Sequence, residues 1–174
     1  MKTAFVLDTC VVSETFLPQP RENVMAFLAS ADNYFIPAGV LMELQMGITK
    51  VCATSPLKAV KLSAWYNKLK RAGIPIIDTD AEISEICGIL SVDPRLQGLR
   101  RGQDLHIAAA ALSRRLPIAT MDVDDFMLIN SCYPLPGIYD PLFHRWHVRM
   151  EPLATLYPIA SHERDQEHLP IPGI

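Results

Sequence analysis

The sequence lacks what would tie it to a membrane or an oxidising compartment. No apolar run approaches the roughly 20 residues a spanning helix needs. The short greasy stretch in the opening MKTAFVLD ends at Asp8, before a signal-peptide core is complete. A cytoplasmic protein without membrane attachment is expected. Cysteine is sparse: Cys10, Cys52, Cys87 and Cys132 stand at least 35 residues apart. No CxxC pair suggests a zinc knuckle or a redox dithiol, so the four are expected to act as buried small hydrophobes. No GxGxxG follows the first strand, which argues against a dinucleotide-binding protein. Positive charge is not in excess either: 16 Lys and Arg face 19 Asp and Glu. The net charge of -3 arises entirely beyond residue 150, where Arg164 stands against Glu151, Glu163, Asp165 and Glu167. A broadly basic nucleic-acid surface is therefore not indicated. Bound cations do not enter such a count, so a protein whose metals neutralise its own carboxylates remains compatible with it.

What is present is apolar content of 49% in 174 residues, enough for one compact core and too much for a disordered chain. TAFVL (3–7) reads as a buried strand running into Asp8. Val24, Phe27, Leu28 and Ala31 fall on one helical face, and Tyr34 to Ile36 form a second strand. Pro37 and Gly39 break the pattern before Leu41, Leu44 and Ile48 resume it. In SPLKAVKLSAWYNKLKRAG, Ser55 is placed to cap, Pro56 to open and Gly73 to end a helix, with Leu57, Val60, Ala64 and Trp65 inward. Ile74 to Ile77 give a strand. Thr79 and Glu82 have capping-box spacing for a helix carrying Ile83, Ile86, Cys87 and Leu90. Residues 91–103 read as a loop, Asp104 opens the alanine-rich DLHIAAAALSRR helix, and Pro117 to Thr120 a strand before MDVDDF. This alternation predicts an α/β fold with a mostly parallel sheet. Beyond residue 130 the periodicity fades among seven prolines from Pro134 to Pro172. The expected division is a domain over 1–130 and an irregular proline-rich extension over 131–174.

The acids fall at informative places. Asp8 follows the first strand, Glu43 lies in the Leu41/Leu44/Ile48 helix, and Asp104 stands at the mouth of the alanine-rich helix. Asp122 and Asp125 follow the PIAT strand. Functional side chains of open parallel sheets gather beyond the carboxyl ends of the strands. Each acid also has an ordinary reading: strand-end turn, solvent-facing helix residue, helix-dipole partner, or, for Asp122 with Asp125, a plain cap. Converging carboxylates repel one another unless a cation joins them. Oxygen ligands without Cys or His partners point to Mg²⁺ or Mn²⁺, and such a site suits phosphodiester hydrolysis. Basic clusters at Lys58/Lys61/Lys68/Lys70/Arg71, Arg100/Arg101 and Arg114/Arg115 read as solvated faces. His144 and His147, with His162 and His168, read as exposed tail residues, and His106 as a helix-surface group or one supporting a ligand.

Four strings then carry a resemblance: VLDTCVVSE (6–14), YFIPAGVLMELQMGI (34–48), QDLHIAAAAL (103–112) and IATMDVDDF (118–126). Over about residues 3–130 the chain resembles the PIN-domain nuclease family, and within it the toxin subunits of VapBC-type toxin–antitoxin pairs. The resemblance implies a three-layer α/β/α sandwich and an Mg²⁺- or Mn²⁺-dependent endoribonuclease. It implies metal ligation by Asp8, Glu43, Asp104 and Asp122, supported by Thr9, Ser13 and Asp125. It also implies homodimerisation, an RNA substrate, and a small antitoxin that silences the site and binds operator DNA.

The chain departs from the family pattern at four points. Cys10 replaces an amide or hydroxyl, Val40 a threonine, and Gln45 and Met121 replace arginines, which removes two potential phosphate-facing cations. A catalytically weak or inactive PIN-like module acting through partner protein and DNA is the alternative these departures suggest. A different Mg²⁺-dependent phosphotransfer or DNA-processing enzyme is a third reading.

Overall fold

The computed structural model describes residues 3–31, 33–99 and 102–149. The Arg100/Arg101 pair, the tail from residue 150, His162 and His168 lie outside them.

The first strand, β1 (Ala4–Leu7), is buried along Phe5, Val6 and Leu7, the continuous apolar run expected of a strand covered on both faces. Helices α1 (Thr9–Glu14) and α2 (Glu22–Ser30) lead to β2 (Asn33–Pro37). Pro37 then caps α3 (Ala38–Thr54) without an intervening loop, and α4 (Pro56–Arg71) leads to β3 (Ile76–Ile77). Next come α5 (Ala81–Val92), a 3₁₀ turn at Pro94–Leu96, α6 (Gly102–Arg114) and β4 (Ile118–Ala119). The described chain closes with α7 (Val123–Cys132), β5 (Ile138–Asp140) and β6 (Arg145–Val148).

One six-stranded sheet runs in the order β3-β2-β1-β4-β5-β6, parallel except for β6. The chain steps outward from β1 to β2 and β3, then crosses back to lay β4 on the other side of β1. The crevice beyond β1 and β4 is therefore a topological switch point, where ligands of open α/β sheets bind. The expected α/β architecture with a mostly parallel sheet is what forms.

Four expectations need correction. The sheet does not end near residue 130: β5 and β6 extend it, and Tyr139 and Trp146 join Phe5 and Phe27 in an aromatic cluster whose contacting rings lie 5.1–5.6 Å apart between centroids. Residues 131–149 thus belong to the core rather than to an irregular extension. In α4 the inner face is Ala59, Leu62, Tyr66 and Leu69, with Trp65 half-buried, while Leu57, Val60 and Ala64 are exposed. The cap of α5 is Asp80, not Thr79: its side chain accepts from the Ile83 N–H (3.0 Å) and pairs with Arg114. Glu82 instead accepts from Ser113 and Arg114. Of the cysteines, only Cys87 is fully buried and Cys52 is exposed.

Candidate functional site

Asp8 leaves β1 at the N-cap position of α1, yet its carboxylate makes no capping bond. It is 4% exposed. The Thr120 hydroxyl, just past β4, donates to Asp8 Oδ2 at 2.6 Å, and the Cys10 thiol donates to the same oxygen at 2.9 Å. Thr120 in turn accepts the Asp122 N–H (2.9 Å) and Cys10 accepts the Met121 N–H (3.2 Å). The turn after β4 is thereby fastened to the turn after β1. Thr120 received no role from the sequence; its place as the last residue of PIAT, before MDVD, was the available signal.

Asp104, in the first turn of α6, is 3% exposed, and its Oδ2 has no hydrogen-bond partner. Burial lifts its pKa to about 7, and repulsion from Asp8, Asp125, Glu43 and Asp122 adds to the rise. Asp8 is also pushed up, by burial against the opposing hydrogen bonds of Cys10, Thr120 and the Thr9 N–H; Glu43 adds to the rise. The other four acids singled out from the sequence thus lie within electrostatic reach of Asp104. Asp125 acts on it more strongly than Asp122 does.

Asp122 occupies the N-cap position of α7 without a side-chain capping bond, and Asp125 Oδ2 is buried without a partner. The plain-cap reading of this pair therefore fails. Glu43 is half-buried on α3. Its helix is drawn to α6 by Gly39, where an added Cβ would stand 2.9 Å from His106 Cβ. Thr9 is buried with its hydroxyl unpartnered, and Ser13 is half-buried.

Among the described residues, no three His, Cys, Asp or Glu side chains stand close enough to form a ready ion cage. The chemistry of the donors nevertheless fits a hard divalent cation. Buried carboxylate oxygens on Asp104 and Asp125 lack donors, and an oxygen-only set favours Mg²⁺ or Mn²⁺ over zinc.

A groove of about 700 Å³ opens beside the acids between α1, α3 and α4. Thr9, Cys10, Ser13, Glu43, Lys50 and Lys58 are among its lining, as are Phe16 and Trp65, whose rings pack on each other with centroids 5.5 Å apart. Lys58, read from the sequence as solvated, therefore borders the site. The departures from the family pattern also find places. Val40 is fully buried in the core, Gln45 is exposed and bonded to Thr49, and Met121 accepts from Arg21.

The chain is similar to known proteins. A family profile described as PIN domain matches residues 5–128. Toxin FitB of Neisseria gonorrhoeae (strain ATCC 700825 / FA 1090) is 26% identical over 150 residues, 82% of this chain and 98% of that protein. The crystal structure of FitAcB from Neisseria gonorrhoeae superposes with a TM-score of 0.61 at 26% identity, over 81% of this chain and 99% of that one. DNA-bound VapBC from Salmonella typhimurium gives a TM-score of 0.58 at 25% identity, over 80% and 98%.

Proposed function

The chain belongs to the PIN-domain family, and from that premise we propose that it is a divalent-metal-dependent endoribonuclease, the toxin of a toxin–antitoxin pair. The observation that carries this reading is the buried, unpartnered Asp104 Oδ2 at the switch point of the sheet, with Asp8, Asp125, Glu43 and Asp122 within electrostatic reach of it. Asp8, Glu43, Asp104 and Asp122 would hold Mg²⁺ or Mn²⁺, with Thr9, Ser13 and Asp125 in support. When bound, such a cation supplies Lewis acidity and an activated water for phosphodiester hydrolysis.

The chain's own groups do the rest. Thr120 and Cys10 hold the Asp8 carboxylate in one orientation. The Gly39–His106 approach sets the spacing of the helices that carry Glu43 and Asp104. In the groove, Phe16 and Trp65 offer faces for unpaired bases while Lys50 and Lys58 offset backbone charge, an arrangement suited to a single strand. Similarity to DNA-bound VapBC and to a toxin–antitoxin complex from Klebsiella pneumoniae supports a small antitoxin partner and contact with operator DNA through that partner; a homodimer is part of the proposal.

The test is cleavage of single-stranded and structured RNA by the purified chain in Mg²⁺, in Mn²⁺ and in chelator. Metal-dependent cleavage lost in Asp8→Asn and Asp104→Asn supports the proposal. Cleavage retained in both variants, with host nuclease excluded, overturns it.

A further inference from the structure

A cluster of carboxylates repels the strand it is meant to cut, so cationic groups at its edge decide how a polyanion is seated. At the edge of this crevice stands Arg21, between the prolines after α1 and the start of α2. Its Nη1 lies 3.2 Å from Met121 Sδ. The Met121 N–H bonds Cys10, and Cys10 bonds Asp8. The guanidinium is thus two residues removed, through contacts, from the Asp8 carboxylate.

Arg21 is held there by Glu14, the last residue of α1. Glu14 Oε1 accepts the Arg21 backbone N–H at 2.6 Å, and Oε2 accepts Nη1 at 3.2 Å. The exposures are unequal: 2% for the Glu14 side chain and 52% for that of Arg21. Burying a carboxylate is costly, and a packed hydrophobe at that position generally stabilises a fold as well or better. An ion pair with its anion sunk in the core and its cation half in solvent therefore fixes a cation in place. The guanidinium carries five donors in a rigid fork matched to phosphate oxygens, and the buried anion takes only Nη1 of them.

We infer that Arg21, clamped by buried Glu14, is a backbone-phosphate contact that seats the nucleic-acid strand against the acidic crevice. The inference rests on the nuclease reading and extends it to how the substrate is held. Arg21 touches the substrate directly, and Glu14 is the positioning residue that acts through it.

The experiment follows fluorescence anisotropy of a labelled single-stranded oligoribonucleotide with the full chain in Ca²⁺ buffer across a salt series. For single strands, each phosphate neutralised contributes about 0.7 to the slope of log binding constant against log salt. Arg21→Gln is expected to lower that slope by about 0.7 and to weaken binding roughly tenfold, the scale of one charge-assisted contact. Arg21→Lys is expected to keep the slope. The double variant Glu14→Gln/Arg21→Gln leaves no buried charge stranded, and is expected to show the same loss of slope in a folded protein. A slope unchanged in both Arg21→Gln and the double variant overturns the inference while leaving the nuclease reading intact. A parent chain with no salt-dependent RNA binding overturns both.

Discussion

Gly39 and His106 meet so closely that a Cβ at position 39 would lie 2.9 Å from the Cβ of His106. The contact joins the first turn of α3 to the first turns of α6, so it sets the distance between Glu43 and Asp104. Gly39→Ala should therefore behave unlike an ordinary helix substitution. Alanine normally gains about 1 kcal/mol over glycine within a helix. Here the clash with a fixed backbone-proximal atom should reverse the sign, for a net loss of about 1–2 kcal/mol. Urea unfolding measures it, and nuclease activity should fall further than the folded fraction does.

Thr120→Val is expected to be more harmful than its near-identical shape suggests. It removes a donor to Asp8 and the acceptor of the Asp122 N–H. Leaving such groups unpaired costs about 1–3 kcal/mol. Thr120→Ser should restore most of the loss in thermal melts and in cleavage.

The metal-free protein should lose stability as pH rises. Asp104 titrates near 7 in the fold against an ordinary value of 3.8, so the native state holds its proton longer than the unfolded chain does. Stability contributed by that proton is present at low pH and lost between about pH 4 and 7. Asp8 shifts in the same direction. Asp104→Asn mimics the protonated acid. Its melting temperature in chelator should exceed that of the parent at pH 8, and the gain should shrink at pH 5.

Thiol chemistry should follow burial and charge. Burial, then the neighbouring Asp8 carboxylate, push the Cys10 thiol well above its usual range, and burial raises Cys87. Cys52 is exposed. Alkylation with iodoacetamide at pH 8, read by mass spectrometry, should mark Cys52 first and spare Cys10 and Cys87 until the protein is denatured. Cys10 labelling as fast as Cys52 contradicts the arrangement around Asp8.

Much of this was legible in the sequence where one strong local signal was present. The run into Asp8, the alanine-rich helix after Asp104 and the acids after PIAT all announce themselves. Short elements did not. Ile138–Asp140 and Arg145–Val148 are three and four residues long and sit among Pro136, Gly137 and Pro141, so no periodicity accumulates. Spacing misplaces the face of α4 because Leu57 and Val60 are apolar yet lie beyond the reach of the core, while Tyr66 supplies the buried contact. Thr79 and Asp80 offered adjacent caps, and the pairing of Arg114 with Asp80, 34 residues on, was invisible to spacing. The bonds that organise the site, Thr120 to Asp8 and Arg21 to Met121, span 112 and 100 residues. No local pattern reports contacts of that range.

Acids from α3, α6 and the turns after β1 and β4 are proposed to hold one kind of ligand together, a hard divalent cation. Calorimetric titration of Mn²⁺ into the purified chain tests it most directly. The parent should bind Mn²⁺, more tightly at pH 8 than at pH 5.5 as Asp104 gives up its proton, and Asp8→Asn and Asp104→Asn should each abolish the heat of binding. A parent that takes up no Mn²⁺, or variants that bind it as the parent does, would contradict the account.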